Sequence, residues 1–456
     1  MNRLITALLV AILLFKLNTY AENPPNIVIY LTDDQSQLDA SVYGAKVLNT
    51  PNLDRLAEKG IVFDNAFVAS PACAPSRAAL LTGLMPARNG AEPNHSYPKP
   101  GTPVLTQELQ KEGYQVLAFG KVAHMKMNWE CGFDFYHSGM TGLANHVTNY
   151  FDSVKVNEPV CLMVGDRRPH VPWTTKIIYD PNELELPPYF IDTPETRKLW
   201  AQYYSDITGA DQEMGKIYEL ARQKFGDNFI FIYTADHGGQ WPFGKWNLYD
   251  AGIKVPLIVV WPDHIKPKTR TDAMVSWIDI LPTLLDMTGS EVPDNLDGKS
   301  FKKVLEGKTD QFREYIFTTH SGDGKMNVYP IRSIRDDRFK YILNLYPEYY
   351  HSNHSDILRK PNAGGYWDSW DEAAKSDPEA ATIVEKYYVR PAEEFYDLKA
   401  DPTEQQNLID SEEYRQQIQK MRQLLENWMN GQGDTRALFD TPYPISGPTP
   451  HELGIR

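Results

Sequence analysis

The 456-residue sequence contains only three cysteines, at positions 73, 131 and 161. Three thiols form one disulfide at most and leave one cysteine over, so the chain has no disulfide framework. The remaining composition is that of an ordinary globular protein, with 42% hydrophobic and 23% charged residues. This composition excludes a disordered or a collagen-like chain. The unpaired cysteine therefore needs another explanation.

Basic residues are too few for a typical nucleic-acid-binding protein. Lys and Arg together number 46, against 60 Asp and Glu, and the net charge is −14. A surface this acidic repels a phosphate backbone, so we predict no nucleic-acid partner. An anionic substrate would have to bind in a local basic pocket.

The N-terminal apolar stretch is too short to be a comfortable membrane span. It runs from Leu4 to Phe15, whereas a spanning helix needs about 20 residues. Arg3 precedes this stretch, and the small residues Thr19 and Ala21 follow it, which is typical of a signal peptide. We therefore predict export to the periplasm or the medium, with no stable membrane insertion.

Short apolar runs that each end in polar residues are abundant. Residues 26–31 lead to Asp33 and Asp34, residues 114–119 to Lys121 and His124, residues 160–164 to Asp166 and His170, and residues 229–233 to Asp236 and His237. Such runs, separated by helical stretches, are typical of strands buried on both faces of a parallel sheet. Because ligands bind at the carboxyl ends of such strands, the sequence predicts an α/β fold with a functional site at one sheet edge.

The pattern changes after about residue 310. Strand-like runs at residues 315–318, 331–334 and 339–345 predict an antiparallel sheet, and residues 412–429 have the apolar spacing of a helix packed against it. We predict a signal peptide (1–21), a large α/β domain (22–312), a smaller α+β domain (313–435) and an extended tail (436–456).

In the segment Cys73-Ala74-Pro75-Ser76-Arg77, the cysteine stands just ahead of a predicted helix over residues 76–84. The free N–H groups and the dipole of a helix N-terminus stabilise a bound anion. A buried structural cysteine is the alternative interpretation. The segment matches C-x-P-S-R in full, is followed by ALLTGLMPARNG, and resembles the signature of the type I sulfatases.

The resemblance covers residues 24 to 430. It is strongest to the N-sulfoglucosamine sulfohydrolase (sulfamidase-like) branch, as in GKWNLYDAG, while GKVAH and RRPHVP are similar to iduronate 2-sulfatase motifs. It implies an alkaline-phosphatase-like fold and a sulfated carbohydrate substrate. It also implies that a maturation enzyme oxidises Cys73 to formylglycine, whose hydrate attacks the sulfur.

The resemblance further implies one Ca²⁺ ion, with Asp33, Asp34, Cys73, Asp236 and His237 as its ligands. Carboxylate oxygens suit Ca²⁺. Many family members carry Asn where this chain has His237, and imidazole is a less usual Ca²⁺ ligand. The sequence therefore leaves open whether the ion is Ca²⁺ or another divalent metal.

Five further residues receive catalytic roles from the resemblance. Lys121 and Lys245 would hold sulfate oxygens, and Arg77 would pair with the nucleophile and the metal ligands. His124 would orient the formylglycine hydroxyl. His170 would donate a proton to the leaving group.

Residues that contact the sugar are harder to recognise. We predict that four of them bind substrate: Asn94, His95, Arg168 and His320. Three aromatic residues either stack on sugar rings or form a core beneath a long loop: Tyr366, Trp367 and Trp370.

These features predict a calcium-dependent sulfatase that acts on a sulfated poly- or oligosaccharide, for example ulvan, carrageenan or a glycosaminoglycan. A sulfamidase that cleaves N-sulfate from glucosamine is the alternative, because the sequence near His170 does not distinguish cleavage of an S–O bond from cleavage of an S–N bond. A phosphatase of the same superfold would use Ser or Thr and a zinc-binding set, which the C-x-P-S-R signature disfavours. A non-catalytic sugar-binding relative is disfavoured because Cys73 and its partners are retained.

Overall fold

The computed structural model describes residues 24–455, so the predicted signal peptide lies outside the described residues. The strands are β1 (Asn26–Thr32), β2 (Ile61–Phe63), β3 (Ala66–Phe67), β4 (Gln115–Gly120), β5 (Phe135–His137), β6 (Val160–Gly165), β7 (Phe229–Ala235), β8 (Leu257–Val260), β9 (Thr269–Thr271), β10 (Val275–Ser276), β11 (Ile316–His320), β12 (Ile331–Arg335), β13 (Phe339–Asn344) and β14 (Glu393–Asp397).

The α-helices are α1 (Pro51–Ala57), α2 (Cys73–Thr82), α3 (Pro86–Asn89), α4 (Leu105–Lys111), α5 (Met127–Glu130), α6 (Leu143–Ser153), α7 (Pro194–Phe225), α8 (Asp250–Ile253), α9 (Ile280–Thr288), α10 (Lys302–Leu305), α11 (His354–Leu358), α12 (Trp367–Ala374), α13 (Pro378–Tyr388) and α14 (Arg415–Gln432).

Eight strands form the large sheet, in the order β5-β4-β6-β1-β7-β8-β2-β9. All neighbours in it are parallel except β8, which runs antiparallel to both β7 and β2. Successive side chains of a strand point to opposite faces. Ile27 and Ile29 of β1 accordingly join the core on one face of the sheet, while Val28 and Tyr30 join the core on the other. The predicted α/β fold with a mostly parallel sheet is confirmed.

The central parallel strands end in register. Leu31 of β1 pairs with Gly165 of β6, which also pairs with Gly120 of β4. On the other side of β1, Thr32 pairs with Ala235 of β7. The residues that follow these four strands therefore emerge side by side at one edge of the sheet.

The smaller sheet is antiparallel, with the order β11-β12-β13-β14. Helix α14 packs Met421 and Leu425 against Ile334, Tyr341 and Phe395 of this sheet. The first three strands and the helix were predicted. The fourth strand was not, because its sequence EEFYD is short and carries charged residues at both ends.

The aromatic cluster of the C-terminal part belongs to the core. Tyr366, Trp367 and Trp370 are each 0% exposed. Tyr366 stacks on Trp241 with ring centroids 5.1 Å apart, and Trp370 packs against Phe190 at 5.9 Å. Stacking on sugar rings is therefore the wrong interpretation of these residues, and the core interpretation is correct.

Residues 436–455 contain neither a helix nor a strand. An isolated β-bridge joins Pro444 of this segment to Tyr349, and Tyr443 donates a hydrogen bond to the Lys325 carbonyl oxygen at 2.9 Å. Among residues 24–455, no helix combines the length and the apolar character needed to cross a membrane. The three cysteines, all of which the structure describes, are buried and free.

Candidate active site

Cys73 is the first residue of helix α2, three residues earlier than the predicted start. Pro75 lies in the first turn, where its missing N–H breaks no intrahelical hydrogen bond. The thiol is almost fully buried, with 2% of the residue exposed. The N–H of Ala74, which has no intrahelical partner, donates to Asn94 Oδ1 at 3.0 Å. The buried position of the thiol at a helix N-terminus agrees with an anion-binding role of this segment.

The predicted metal ligands lie together beside Cys73. Asp33, Asp34 and Asp236 follow strands β1 and β7 and are each 0% exposed. Each of these residues, with Cys73 and His237, offers one ligand atom, and these atoms all lie within 4.8 Å of one another. Asp34 adopts a φ of 70°, in the left-handed region that non-glycine residues rarely occupy. Such backbone strain clusters at functional sites, where the surrounding structure holds it.

His237 turns its ring toward this group. Its Nε2 lies 3.4 Å from Cys73 Sγ, 3.5 Å from Asp236 Oδ2 and 3.6 Å from Asp34 Oδ1. The imidazole nitrogen therefore stands where the resemblance places the oxygen of an asparagine.

Three cations surround the carboxylates. Lys245 Nζ lies 2.8 Å from Asp34 Oδ1 and 3.4 Å from Cys73 Sγ. Lys121 Nζ contacts Asp33 and lies 3.5 Å from the same sulfur atom. The guanidinium of Arg77 is 2.9 Å from Asp236 Oδ2 and 3.4 Å from Asp33 Oδ1. This acidic protein thus concentrates positive charge at one buried point.

Burial raises the pKa of the carboxylates and of the thiol, whereas the neighbouring positive charges lower it. Burial alone would raise the pKa of Asp33, but the charges of Lys121, Arg77 and Lys245 hold that pKa well below its usual range. Burial raises the pKa of the Cys73 thiol even though Lys121 and Lys245 oppose this effect. Burial thus disfavours the charged thiolate form of the unmodified cysteine.

A cavity of about 270 Å³ opens above Cys73. Lys121, His124, His170 and Lys245 line it together with the cysteine. Nδ1 of His170 lies 2.6 Å from the Val171 carbonyl oxygen. If Nδ1 donates to that carbonyl, Nε2 of His170 is left for a ligand in the cavity.

Two of the four predicted substrate-binding residues line this cavity, and two do not. Asn94 and His95 lie in its wall. Arg168 is bound by Asp166 through two hydrogen bonds, Nε to Oδ1 at 3.0 Å and Nη2 to Oδ2 at 2.6 Å. His320 is 1% exposed, and its Nε2 lies 2.8 Å from Asn327 Oδ1. Neither Arg168 nor His320 lines the cavity, because one pairs with its neighbour and the other is buried, and their role in substrate binding stays a prediction.

Sequence reasoning missed much of the cavity wall. The additional lining residues include Gln240, Trp246, Asp323, His354, Leu358 and Lys360. Trp246 follows Lys245 directly, and the others carry no recognisable motif. Asp323, His354, Leu358 and Lys360 come from the part of the chain that follows β11 and reach the cavity through tertiary packing.

The sulfatase family matches residues 25–290, and a family described as N-sulphoglucosamine sulphohydrolase, C-terminal, matches residues 237–362. An ulvan-active sulfatase of Formosa agariphila is 32% identical over 429 residues, which cover 90% of this chain and 81% of that protein. The human N-sulphoglucosamine sulphohydrolase is 28% identical over 91% of this chain and 92% of its own length. A structure solved with its substrate D-glucosamine-2-N,6-O-disulfate is similar in fold, with a TM-score of 0.68, 21% identity and coverage of 91% of this chain and 99% of that chain.

Proposed function

This chain belongs to the sulfatase family, and we propose that it is an exported, calcium-dependent enzyme that hydrolyses sulfate esters of a poly- or oligosaccharide. The observation that carries the proposal is the ring of Lys121, Lys245 and Arg77 around Cys73 and three buried aspartates. This ring offers a local site for an anionic group in a protein whose net charge is −14. The ulvan-active relative supports a polysaccharide substrate.

The donor set fits a divalent cation. Ca²⁺ binds oxygen ligands at about 2.3–2.6 Å, so ligand atoms that lie within 4.8 Å of one another can share one ion. Asp33, Asp34, Asp236 and residue 73 would supply oxygen ligands, and His237 would supply a nitrogen. When bound, the ion would offset the charge of the aspartates and polarise a sulfate oxygen.

We propose that a maturation enzyme converts Cys73 to formylglycine after synthesis. The raised pKa of the buried thiol supports a modified residue rather than a thiolate as the nucleophile. The hydrated aldehyde supplies an oxygen nucleophile and allows sulfate to be expelled without attack of water on sulfur. Lys121 and Lys245, whose Nζ atoms are 3.5 Å and 3.4 Å from Sγ, would hold the sulfate oxygens at this position.

His170 would act at the leaving group. Burial and the charges of Lys121 and Lys245 hold the pKa of His170 well below its usual range. A bound sulfate anion would offset those two positive charges and favour the protonated ring. The imidazole could then donate a proton from Nε2 to the oxygen or nitrogen that leaves.

We expect His170→Gln to lower kcat on a sugar sulfate by about 10²- to 10⁴-fold, because an alkoxide is a poor leaving group without a proton. The same substitution should lower kcat much less on 4-nitrophenyl sulfate, whose phenolate leaves without protonation. Steady-state kinetics on both substrates measures the two effects. Equal losses on both substrates would show that His170 does not act as the acid.

A panel of sulfated substrates distinguishes cleavage of an S–O bond from cleavage of an S–N bond. Protein co-expressed with a maturation enzyme is incubated with ulvan, carrageenan and glycosaminoglycan oligosaccharides, with glucosamine 6-O-sulfate and with N-sulfoglucosamine, and sulfate is measured by ion chromatography. We expect release from O-sulfated sugars. Release from N-sulfoglucosamine alone would favour a sulfamidase, which the match to the N-sulphoglucosamine sulphohydrolase C-terminal family supports as the second candidate.

A further inference from the structure

Asp323 is a buried carboxylate in the wall of the active-site cavity, outside the groups that hold the metal or the sulfate. It follows β11 in the chain, and only 4% of the residue is exposed. Four side-chain nitrogens surround it: Trp246 Nε1 at 2.8 Å, Asn94 Nδ2 at 2.9 Å, His95 Nε2 at 3.2 Å and His354 Nε2 at 3.3 Å. A buried charge persists only with such partners, and one carboxylate here organises four residues of the cavity wall.

One of these partners connects Asp323 to His124. His95 presents its Nε2 to Asp323 Oδ1 at 3.2 Å and its Nδ1 to His124 Nε2 at 2.8 Å. The result is a chain of two hydrogen bonds that begins at a carboxylate and ends at a histidine of the cavity that Cys73 lines.

Asp323 is the acceptor at one end of these two hydrogen bonds, and its ionisation state determines which histidine nitrogens carry protons. Burial alone would raise the pKa of Asp323, but the hydrogen bonds from His354, His95 and Asn94 hold it well below its usual range. An ionised carboxylate only accepts, so Nε2 of His95 must carry a proton. When His95 carries this one proton, its Nδ1 is bare and accepts from the Nε2–H of His124, at a distance of 2.8 Å.

His124 is neutral in this arrangement. Burial, together with the charge of Lys121, lowers its pKa to about 3. With its proton on Nε2, the ring keeps a bare Nδ1. That atom is buried and has no hydrogen-bond partner among residues 24–455. It is therefore the acceptor that His124 keeps in this tautomer.

We propose that Asp323 is a positioning residue that acts through His95 to hold His124 in the Nε2–H tautomer. The catalytic consequence rests on the proposed function: a wrong tautomer would present a donor where the reaction needs an acceptor. Because the C-terminal part of the chain supplies Asp323, that part contributes to the chemistry as well as to the wall of the cavity.

Asp323→Asn tests the proposal with little change in size. Its amide nitrogen can donate to His95 Nε2, which reverses both histidine tautomers and moves the proton of His124 to Nδ1. We expect nitrogen-15 NMR of histidine-labelled protein to show this reversal. We also expect kcat to fall by about 10- to 100-fold with little change in KM, as for other partners that orient an active-site histidine.

A second variant covers the case in which Asp323→Asn fails to fold. His95 has a φ of 64° and a side chain that is 52% exposed. His95→Asn keeps a residue that tolerates the left-handed conformation and removes the connection to His124. We expect the double variant to lose no more activity than His95→Asn alone, since the two residues act in series. Asp337 is an exposed carboxylate that pairs with Lys399 at 3.1 Å. Asp337→Asn therefore serves as the control and should leave the histidine tautomers and kcat unchanged.

The NMR result stands apart from the assay. If the wild-type protein releases no sulfate from any substrate, the proposed function fails, while the tautomer of His124 is still measured. An unchanged tautomer in both Asp323→Asn and His95→Asn overturns the proposal, and a loss of kcat without a tautomer change would show a merely structural role. A reversed tautomer with unchanged kcat would remove Asp323 from the chemistry.

Discussion

Cys73→Ala is expected to lower kcat for sulfate release by about 10⁴- to 10⁶-fold, the loss that follows when an enzyme loses its nucleophile but keeps its binding groups. Only the functional group of residue 73 is removed, and helix α2 begins at this residue rather than running through it. The variant should therefore fold and still bind the sulfated sugar. Ion chromatography of released sulfate and a thermal unfolding curve measure the two expectations.

Cys131→Ala is the matched control, because Cys131 is also a buried free thiol and lies outside the active-site cavity. It should keep full activity. Peptide mass spectrometry of the wild-type protein should find the aldehyde at residue 73 and unmodified thiols at the other two cysteines. Undiminished activity of Cys73→Ala would disprove the proposed mechanism.

Asp33→Asn is expected to weaken calcium binding at least about tenfold, because affinity for Ca²⁺ depends on the number of charged ligands. Asp33 is fully buried and also contacts Lys121, so the substitution leaves that ammonium with one partner fewer. We expect the calcium concentration for half-maximal activity to rise after chelation and re-addition. The rise in Tm that calcium causes should shrink in parallel, because the stabilisation by a ligand grows as RT ln(1 + [L]/Kd) and therefore falls when Kd rises.

Asp166→Asn provides the comparison for Asp33→Asn. Asp166 is likewise 0% exposed, follows the neighbouring strand β6 and pairs with Arg168 at 2.6 Å. Its substitution breaks a partly buried ion pair outside the metal-ligand group, so stability should fall while the calcium dependence stays that of the wild type. The same calcium dependence in Asp33→Asn and wild type would remove Asp33 from the ligand set.

The large sheet and the centre of the site could be predicted because both depend on local signals. Apolar runs fix β1, β4, β6 and β7, and a parallel sheet brings their carboxyl ends together. Asp33, Lys121 and Asp236 follow such ends directly. Their convergence is a consequence of topology, so a sequence that specifies the sheet also specifies the neighbourhood of these three side chains.

The cavity wall could not be predicted in the same way, because its residues come from segments far apart in the chain. Asp323 lies 229 positions from its partner Asn94. Arg168 follows a strand end as Asp33 does, yet it pairs with Asp166 instead of facing the cavity. His320 ends a strand of the smaller sheet and is buried there. Residue type and strand position indicate which side chains reach an edge of the sheet. The partners that those side chains bind there depend on tertiary packing.

The cavity described above has two origins within one chain. The groups next to Cys73 come from the strand ends of the large sheet, while Asp323, His354 and Lys360 come from the part that follows β11. Apart from Asp323, the two sets of side chains can therefore be altered independently of each other. Exchanging residues 320–363 between relatives is accordingly a rational way to engineer new substrate preferences onto an unchanged reaction centre, provided that the carboxylate at position 323 travels with the graft.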